Sequence, residues 1–388
     1  MRERGSPFIK KLDFFLGVPI LLTLSLFRWG RKKITSPVSS IGLLKASSIG
    51  DTVLLSAIVE DLRCHFPKAH IIFFAGSSNF EVAEILMGSH SVVRLPMLDP
   101  LSAILKLRKY RFDVFIDCDS WPKVNAIISF FSLSRFRIGF KTPGQWRHFC
   151  YDVIVNHSWN VHELENYRKL VREVGVIPVA QPKFKRSVDL TSKVLPAVLF
   201  HPWPGGSRAQ EKMWKPELWI QLAEELKKRG YQIFLSTGPR DVEKSTGLAL
   251  LASKDLFRIV QPKSLRDLID TLSGCHLVVS VDTGIAHLSA ALGQKSVVLH
   301  GPTSPQRWGA LGPRVRYVKD SQKPVINLGF EIPREKVVGL GFAEVRDTVV
   351  SLLEEKDCVS AEATPRGHSI DSKWPDPQPI PDTIRFST

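Results

Sequence analysis

The sequence predicts an α/β protein made of two Rossmann-like domains that face a cleft. Short apolar, β-branched runs alternate with helical segments through both halves of the chain, which is typical of a parallel sheet covered on both faces. A polar stretch containing Pro182 and Pro196 separates the two series. The chain has 388 residues, more than one ordinary domain holds, and its 44% hydrophobic content is enough for two cores.

The N-terminal series contains four strands, each followed by a helix. The strands are short and apolar, and Asp51 stands where a helix would begin. The strands are predicted at Ile41–Leu44, His70–Ala75, Val92–Leu95 and Asp113–Cys118, and the helices at Thr52–Phe66, Asn79–Met87, Leu101–Arg108 and Asn125–Phe131. A further helix, His162–Gly175, ends at a glycine and precedes the polar stretch.

The C-terminal series repeats the same alternation. Its strands are predicted at Ala197–His201, Tyr231–Ser236, Leu277–Val281 and Val297–Leu299, and its helices at Glu217–Arg229, Asp241–Leu251, Leu265–Ser273 and residues 286–292. The predicted parts of the chain are an N-terminal segment (1–37), a first Rossmann-like domain (38–180), a linker (181–196), a second Rossmann-like domain (197–357) and a tail (358–388). The tail is rich in Pro, Asp and Ser, so disorder is expected there.

The N-terminal segment is both basic and apolar. Residues 1–35 contain eight basic and two acidic side chains, and the 14 residues Phe14–Phe27 are apolar apart from interruptions such as Gly17 and Pro19. A spanning helix needs about 20 apolar residues, and no small-residue cleavage site follows. The pattern predicts a helix that lies in the cytoplasmic membrane interface, which gives a cytoplasmic protein peripheral to the inner face. The alternatives are a helix packed on the domain and a true span or a signal sequence.

Charge and cysteine content narrow the classes of partner. The formal net charge is +15, which suits an anionic membrane surface or a phosphate-bearing substrate. No nucleic-acid motif accompanies this charge, so no nucleic-acid partner is expected. The five cysteines are far apart and none forms a CxxC pair, so they are expected to be reduced thiols without a zinc site or a disulfide framework.

The first motif is KASSIGDTVLLSA, Lys45–Ala57, where a strand ends and a helix begins. Ser47, Ser48 and Gly50 leave room for a ligand close to the backbone, which makes them candidates on the acceptor side. Asp51 is the candidate general base, or a carboxylate that orients an acceptor hydroxyl. The alternative is that Asp51 only caps the helix. The motif is not GxGxxG, so a dinucleotide cofactor has little support.

The second motif is HPWPGGSRAQEKMWKPELW, at residues 201–219. Gly205, Gly206 and Ser207 offer backbone N–H groups and a hydroxyl to a phosphate, and Lys212 would neutralise a diphosphate. The loop lacks the GK[ST] ending of a Walker A motif. The alternative interpretation is a flexible surface loop with a solvated lysine.

A third motif, STGPRDVEK at residues 236–244, again joins a strand end to a helix start. Its two carboxylates, Asp241 and Glu243, are both candidates for binding ribose hydroxyls. Helix capping explains Asp241 equally well.

The fourth motif, VVSVDTGIAHLSAALGQKSVVLHG (Val278–Gly301), predicts a strand, a sharp turn, a helix and a second strand. Its Asp-Thr-Gly turn therefore lies at the carboxyl end of a strand and the amino end of a helix, a place that favours phosphate. His287 lies one turn further along the same helix face as Gly284. GPTSPQRWG at residues 301–309 follows at the same edge. Taken singly, Asp282 could be a cap and His287 a buried core residue.

Together these segments resemble the pattern of glycosyltransferase family 9, the family of the lipopolysaccharide heptosyltransferases. The resemblance rests on KASSIGD, on HP…GGS…K.W, on VDTG..H..AALG and on HGPT.P.RWG, and it covers about Ile41–Leu353, including the helix HELENYRKLVREVG. It implies a GT-B fold with an N-terminal acceptor-binding domain and a C-terminal nucleotide-sugar-binding domain. It also implies inverting transfer of a sugar, typically heptose from ADP-heptose, onto a lipopolysaccharide core or related glycolipid.

The same resemblance gives the candidate residues their roles. Asp51 corresponds to the catalytic base, and Lys212 to the lysine that contacts the donor diphosphate. The residues that correspond to the donor phosphate and sugar site are Asp282, Thr283, Gly284 and His287. The ribose carboxylate stays undecided between Asp241 and Glu243.

The expected partners are a nucleotide-sugar donor, a glycolipid or oligosaccharide acceptor and an anionic membrane surface, and a monomer is expected. No metal is expected, because the donor half has no DxD-type motif, and no cofactor is expected, because the nucleotide sugar is the donor substrate. Asp117-Cys118-Asp119 has that spacing, but it lies in the acceptor half, where an acceptor-polar or structural role is predicted. Two alternatives stay open: a transferase for another nucleotide sugar and glycan, and a membrane-associated scaffold that has kept the fold.

Overall fold

A computed structural model describes residues 7–27, 34, 37–184, 195–205, 209–238, 241–252, 255–319 and 339–355. The chain has one compact unit, Met1–Leu353, and a second unit, Glu354–Thr388, of which only residues 354 and 355 are described. The first unit contains two parallel six-stranded sheets with helices, which confirms the predicted α/β class. The predicted tail, 358–388, lies outside the described residues.

The first sheet has the strand order β3-β2-β1-β4-β5-β6, and all its strands are parallel. Its strands are β1 Ser40–Lys45, β2 His70–Ala75, β3 Val92–Arg94, β4 Arg111–Asp117, β5 Leu133–Lys141 and β6 Val153–Asn156. The helices of this half are α1 Pro7–Ser25, α2 Ile49–His65, α3 Phe80–Met87, α4 Pro100–Leu107, α5 Lys123–Phe130 and α6 Glu163–Arg172.

The second sheet repeats this topology, with the order β12-β11-β10-β7-β8-β9. Its strands are β7 Leu195–His201, β8 Gln232–Ser236, β9 Arg258–Val260, β10 Cys275–Val281, β11 Ser296–His300 and β12 Val315–Lys319. The helices are α7 Pro216–Lys228, α8 Val242–Leu251, α9 Leu265–Ser273, α10 Gly284–Ala291, α11 Pro305–Trp308 and α12 Phe342–Glu354. Strand β7 begins inside the predicted linker, two residues before the predicted domain start.

The elements that the sequence pattern did not predict are short or charged. Strand β5 (LSRFRIGFK) places arginines between its apolar residues, and β6 and β9 have only four and three residues. Helix α12 and strand β12 were also not predicted. The unpredicted strands lie at or next to the edges of the sheets, where burial is less complete and the apolar pattern weaker, whereas α12 buries an apolar face in the core of the second half.

Helix α2 joins the two halves. It is buried along most of its length, and it packs against α10 of the second half as well as α3 and α6 of the first. One apolar cluster therefore contains residues of both sheets, including Leu43 and Val53 from the first half and Leu199 and Leu288 from the second. The two sheets are held in one packed unit, with a shared core behind the place where the motifs meet.

Helix α1 packs along α5. Leu21 is fully buried with Ala126 and Tyr151, and a methyl group on Gly17 would lie 2.7 Å from Cβ of Lys123. Within the part of the chain that the structure describes, no helix is long and apolar enough to cross a membrane. Helix α1 therefore packs on the first half, and its predicted contact with a membrane interface stays a prediction.

Candidate functional site

The motifs lie at the carboxyl ends of four central strands. KASSIGD follows β1 and the Asp117-Cys118-Asp119 run ends β4, while the Lys212 loop follows β7 and the Asp-Thr-Gly turn follows β10. Strands β1 and β4 are neighbours, as are β7 and β10, and the strand order of each sheet reverses between these two strands. Open α/β sheets bind ligands at this switch point, so the structure supports the location predicted from the sequence.

The N-termini of α2 and α10 meet at the centre of this region. A methyl group on Gly50 would lie 2.7 Å from Cδ2 of His287, and one on Gly284 would lie 2.8 Å from Cβ of Ile49. Both glycines are therefore required for the close approach of the two helices. Because the positive ends of two helix dipoles come together here, the place suits an anion. Direct ligand contact by Gly50 and Gly284 stays a prediction.

Asp51 is held by a buried lysine. The Lys45 Nζ atom lies 2.9 Å from Oδ2 of Asp51 and 2.9 Å from Oδ1 of Asp119. The other Asp119 oxygen accepts hydrogen bonds from the backbone N–H of Ala46 (2.9 Å) and from Nδ2 of Asn125 (2.5 Å). The Lys45 side chain is 4% exposed and that of Asp51 is 15% exposed, so the network fixes the Asp51 carboxylate while one side of it remains accessible.

Ser48, and not Asp51, is the cap of α2. The Oγ atom of Ser48 accepts a hydrogen bond of 3.4 Å from the Asp51 backbone N–H, whereas the Asp51 carboxylate pairs with Lys45. The interpretation of Asp51 as a simple cap is therefore wrong. Ser48 has φ = +84°, a backbone conformation that costs energy for a residue with a side chain and that clusters at functional sites. Ser47 is buried next to it.

Below this network lies a buried ion pair between Asp117 and Arg147. Oδ2 of Asp117 accepts hydrogen bonds from Nη2 of Arg147 (2.6 Å) and from the Tyr151 hydroxyl (2.7 Å). Arg147 also donates to the backbone carbonyls of Asp119 and Pro122. Burial raises the pKa of Asp117, and Arg147 opposes this effect. The geometry assigns Asp117 the structural role that was one of the two predicted.

In the second half, Lys212 reaches across to Asp282. The Nζ atom of Lys212 lies 2.9 Å from Oδ2 of Asp282, which also accepts a hydrogen bond of 2.7 Å from the Thr303 hydroxyl. Burial by itself would raise the pKa of Asp282, but His300, Lys212 and the Thr303 hydrogen bond lower it to about 2. Because burial also lowers the pKa of His300 to about 4, that ring is neutral near pH 7, and Lys212 and Thr303 then keep Asp282 ionised.

This depressed pKa predicts a loss of stability in acid. The carboxyl has its ordinary pKa in the unfolded chain, so its contribution is present above about pH 4 and is lost as the pH falls towards 2. We expect the stability advantage of the wild type over Asp282→Asn to shrink by about 1 kcal/mol between pH 6 and pH 3. Urea unfolding of both proteins at the two pH values measures this, and an advantage that stays constant with pH contradicts the assignment.

The ribose candidates occupy different environments. Asp241 makes no capping hydrogen bond at the start of α8, and it pairs with Lys244 at 2.8 Å. Burial lowers the pKa of His201, the last residue of β7, to about 4. The negative charge of Asp241 acts in the opposite direction on this pKa. Glu243 is exposed in the first turn of the helix. Of the other predicted donor residues, Gly205 is described, whereas Gly206 and Ser207 lie outside the described residues.

Sequence reasoning did not single out Arg307, which lies between the two halves. Its guanidinium stacks on Trp159 of the first half at 4.1 Å and on Trp308 at 4.6 Å. Arg307 is 9% exposed, and its Nε and Nη2 atoms have no hydrogen-bond partner among the described residues. The only signal in the sequence was the basic residue within GPTSPQRWG. Nearby, His162 Nε2 lies 2.9 Å from the carbonyl oxygen of Gly309 and links the halves again.

Metal binding finds no support among these residues. The described parts of the chain contain no group of three or more His, Cys, Asp or Glu residues placed to hold a metal ion. The expectation of a reaction without a metal or a cofactor stays a prediction.

Several known proteins are similar to this chain in sequence or in structure. Similar curated sequences include lipopolysaccharide heptosyltransferase 1 of Escherichia coli K12 (32% identity over 131 residues, 34% of this chain and 40% of that protein). They also include lipooligosaccharide heptosyltransferase 2 of Haemophilus ducreyi (25% identity, 68% of this chain and 83% of that protein). The match to the E. coli protein thus spans less than half of its length.

Solved structures with the same fold include two from E. coli. ADP-heptose lps heptosyltransferase II has a TM-score of 0.66 at 18% identity and covers 81% of this chain and 98% of its own. Heptosyltransferase WaaC with ADP has a TM-score of 0.66 at 20% identity, and the match covers 81% of this chain and 99% of that chain. At these identities the likeness concerns the fold, and it confirms the predicted GT-B arrangement of two Rossmann-like domains.

The family model described as glycosyltransferase family 9 (heptosyltransferase) matches residues 101–333, more than half of the chain. This match confirms the family resemblance and the enzyme class predicted from it, while the KASSIGD motif lies before the matched residues. The chain belongs to glycosyltransferase family 9.

Proposed function

We propose that this glycosyltransferase moves a heptose from ADP-heptose onto a lipopolysaccharide core or a related glycolipid, with inversion at the anomeric carbon. The observation that carries the proposal is the meeting of α2 and α10. It brings the Asp51 carboxylate of one half close to the Lys212–Asp282 pair and the Thr283 turn of the other. The named heptosyltransferases among the relatives, and the E. coli structures solved with ADP and with ADP-2-deoxy-2-fluoro heptose, support the choice of donor.

Asp51 acts on the acceptor in this proposal. It takes the proton of an acceptor hydroxyl while that oxygen forms a bond to the anomeric carbon, and the bond from this carbon to the diphosphate oxygen breaks. Attack from the face opposite the leaving group gives inversion. Lys45 fixes the orientation of the carboxylate, since it pairs with Asp51 and Asp119 at equal distances of 2.9 Å. No covalent intermediate on the protein is needed.

The leaving nucleoside diphosphate gains negative charge as its bond to the sugar breaks. Lys212 and the backbone N–H groups at Thr283 and Gly284 stabilise that charge. Asp282 is the positioning residue for Lys212, because its oxygens accept hydrogen bonds from Lys212 and Thr303 and it is largely buried. Asp241 is the better placed of the two ribose candidates, since it is the carboxylate that acts on His201 at the end of β7.

Calorimetric titration with nucleoside diphosphates, followed by a panel of nucleotide sugars, tests the donor. We expect ADP to bind, and Lys212→Met to weaken its binding about ten- to hundredfold, because a charge-assisted hydrogen bond to the diphosphate is lost. Lys215→Met is the matched control, since Lys215 is an exposed lysine of the same loop, and we expect it to bind ADP normally.

The other outcomes separate the alternatives. Release of a different nucleoside diphosphate from the panel, with no turnover of ADP-heptose, assigns the site to another sugar donor. Absence of binding to every nucleoside diphosphate by a folded protein favours the scaffold interpretation. Equal loss of ADP affinity in Lys212→Met and Lys215→Met contradicts the role of Lys212.

A further inference from the structure

The outer face of α1 is apolar and uncovered in the described structure. The side that contains Leu21 and Gly17 packs on α5, but the other sides expose large apolar side chains. Phe15 is 68% exposed and Leu26, just after the helix, is 80% exposed. The exposed apolar residues of this segment are Leu12, Phe14, Phe15, Leu16, Ile20, Leu22, Leu26 and Phe27. A contiguous set of this kind on a surface marks an interaction site.

Helix α4 adds to the same side of the molecule. The connections from β3 to β4 and from β4 to β5 run in the same direction across the sheet. Right-handed crossovers therefore place α4 and α5 on one face, the face on which α1 packs. Leu98, Leu101 and Leu105 are exposed there. Lys106, Arg108 and Lys109 are exposed beside them.

Most of the charges that accompany this surface are positive, although Asp99 at the start of α4 is an exposed carboxylate. Lys11 is exposed on α1, and the sequence adds Lys10 before the apolar stretch and Arg28, Arg31, Lys32 and Lys33 after it. Apolar side chains bordered by basic ones match a bilayer with anionic headgroups, where the apolar groups enter the acyl boundary and the basic groups remain at the headgroups. A protein partner would have to provide both an apolar patch and a matching set of carboxylates.

The surface reaches the catalytic edge of the first sheet. The Asp13 carboxylate of α1 accepts hydrogen bonds from the backbone N–H groups of Lys123 (3.0 Å) and Val124 (2.9 Å), at the start of α5. The Lys123 ammonium lies 5.0 Å from the centre of the Phe14 ring. Helix α5 begins just after β4 ends, at the edge that holds the Asp51 network, so this end of α1 lies beside the site.

We propose that α1 and α4 form one docking surface for an anionic lipid bilayer, defined by the exposed apolar residues of α1 and by Leu98, Leu101 and Leu105. The described basic residues beside them, Lys11, Lys106, Arg108 and Lys109, contact the lipid headgroups. The docked enzyme lies on the cytoplasmic face of the membrane with its catalytic edge near the lipid. A substrate that is itself anchored in the bilayer then reaches Asp51 without leaving the membrane. The docking surface requires no particular donor sugar, so it stands apart from the proposed reaction.

Vesicle flotation of the full chain tests the docking surface. We expect binding to vesicles that contain phosphatidylglycerol, much weaker binding to phosphatidylcholine alone, and a decrease as salt is added. The double variants Phe15→Ser/Leu26→Ser and Leu101→Ser/Leu105→Ser should each reduce the partition coefficient roughly tenfold or more, because each removes two apolar groups that enter the membrane. The matched control is Ile177→Ser/Leu250→Ser, which changes two residues that are 83% and 80% exposed elsewhere; it should bind as the wild type does.

The proposal is overturned if the Ile177→Ser/Leu250→Ser control loses as much vesicle binding as the other two variants. It is also overturned if vesicle binding does not depend on lipid charge. A dimer in sedimentation velocity that the Phe15→Ser/Leu26→Ser variant abolishes overturns it as well, since the surface would then belong to a second copy of the chain. Thermal melting shows that each variant is folded, and ADP titration of the same samples reports on the donor site separately. Loss of vesicle binding with retained ADP affinity supports the docking surface whether or not the donor assignment holds.

Discussion

The Asp51→Asn variant is expected to keep its fold and its donor affinity and to lose about 10²- to 10⁴-fold in kcat, the usual contribution of a general base. The amide cannot take the proton of the acceptor hydroxyl, although it has nearly the same shape as the carboxylate. Donor affinity should persist, because the groups assigned to the diphosphate, Lys212 and the turn at Thr283, are in the other half of the site. Nucleotide release at saturating donor and acceptor measures the loss in kcat.

The network around Lys45 explains why this variant should fold. The lysine is buried, and an unpaired buried ammonium would be costly, but Asp119 still neutralises it at 2.9 Å after the substitution. The N-cap of α2 is also unaffected, since it comes from Ser48. Calorimetric titration with ADP and a urea unfolding curve on the same sample separate a loss of chemistry from a loss of structure.

Asp61→Asn is the matched control for this experiment. Asp61 is a buried carboxylate on the same helix, but its Oδ1 atom accepts the backbone N–H groups of Val179 (2.9 Å) and Ala180 (2.8 Å) and therefore fixes the chain after α6. We expect this substitution to change stability and to leave kcat nearly unchanged. A folded Asp51→Asn enzyme with near wild-type kcat shows that another group accepts the proton.

Much of the site could be predicted because it depends on short-range patterns. Each motif joins a strand end to a helix start, and in a parallel sheet all such junctions lie at one edge. The position of Asp51, Lys212 and Asp282 at the carboxyl edges of the two sheets could therefore be predicted without the strand order. The reversal between β1 and β4, and between β7 and β10, then brings the junctions of each half together.

Contacts between distant segments could not be predicted in this way. Arg307 stacks on Trp159, which is far away in the sequence and in the other half, and nothing local in either segment indicates the pairing. The ion pair between Asp117 and Arg147 depends on how the turn after β5 folds back under β4. The position of α1 depends on Gly17 and Asp13 matching the start of α5, whereas the apolar composition of the segment also suited a membrane helix.

The Arg147→Met variant is expected to lose about 3–5 kcal/mol of stability, because it leaves the Asp117 carboxylate buried without its cation. Both side chains are fully buried. The arginine also satisfies the carbonyls of Asp119 and Pro122, which would lose their hydrogen bonds at the same time. Urea unfolding measures the loss. Arg135→Met on β5 is the control, since it breaks an exposed pair with Asp113 at 3.6 Å and should cost about 0–1 kcal/mol.

A second substitution separates the ion pair from general packing. Asp117→Asn in the Arg147→Met background removes the uncompensated charge but still accepts the Tyr151 hydroxyl, so part of the lost stability should return. If Arg147→Met lowers the free energy of unfolding no more than Arg135→Met does, Asp117 is not ionised in the native protein. Because Arg147 supports the turn that contains Asp119, and Asp119 holds Lys45 against Asp51, the folded fraction of Arg147→Met should also show a lower kcat with unchanged ADP affinity. The buried pair would then stabilise the fold and position the catalytic carboxylate through the same arginine.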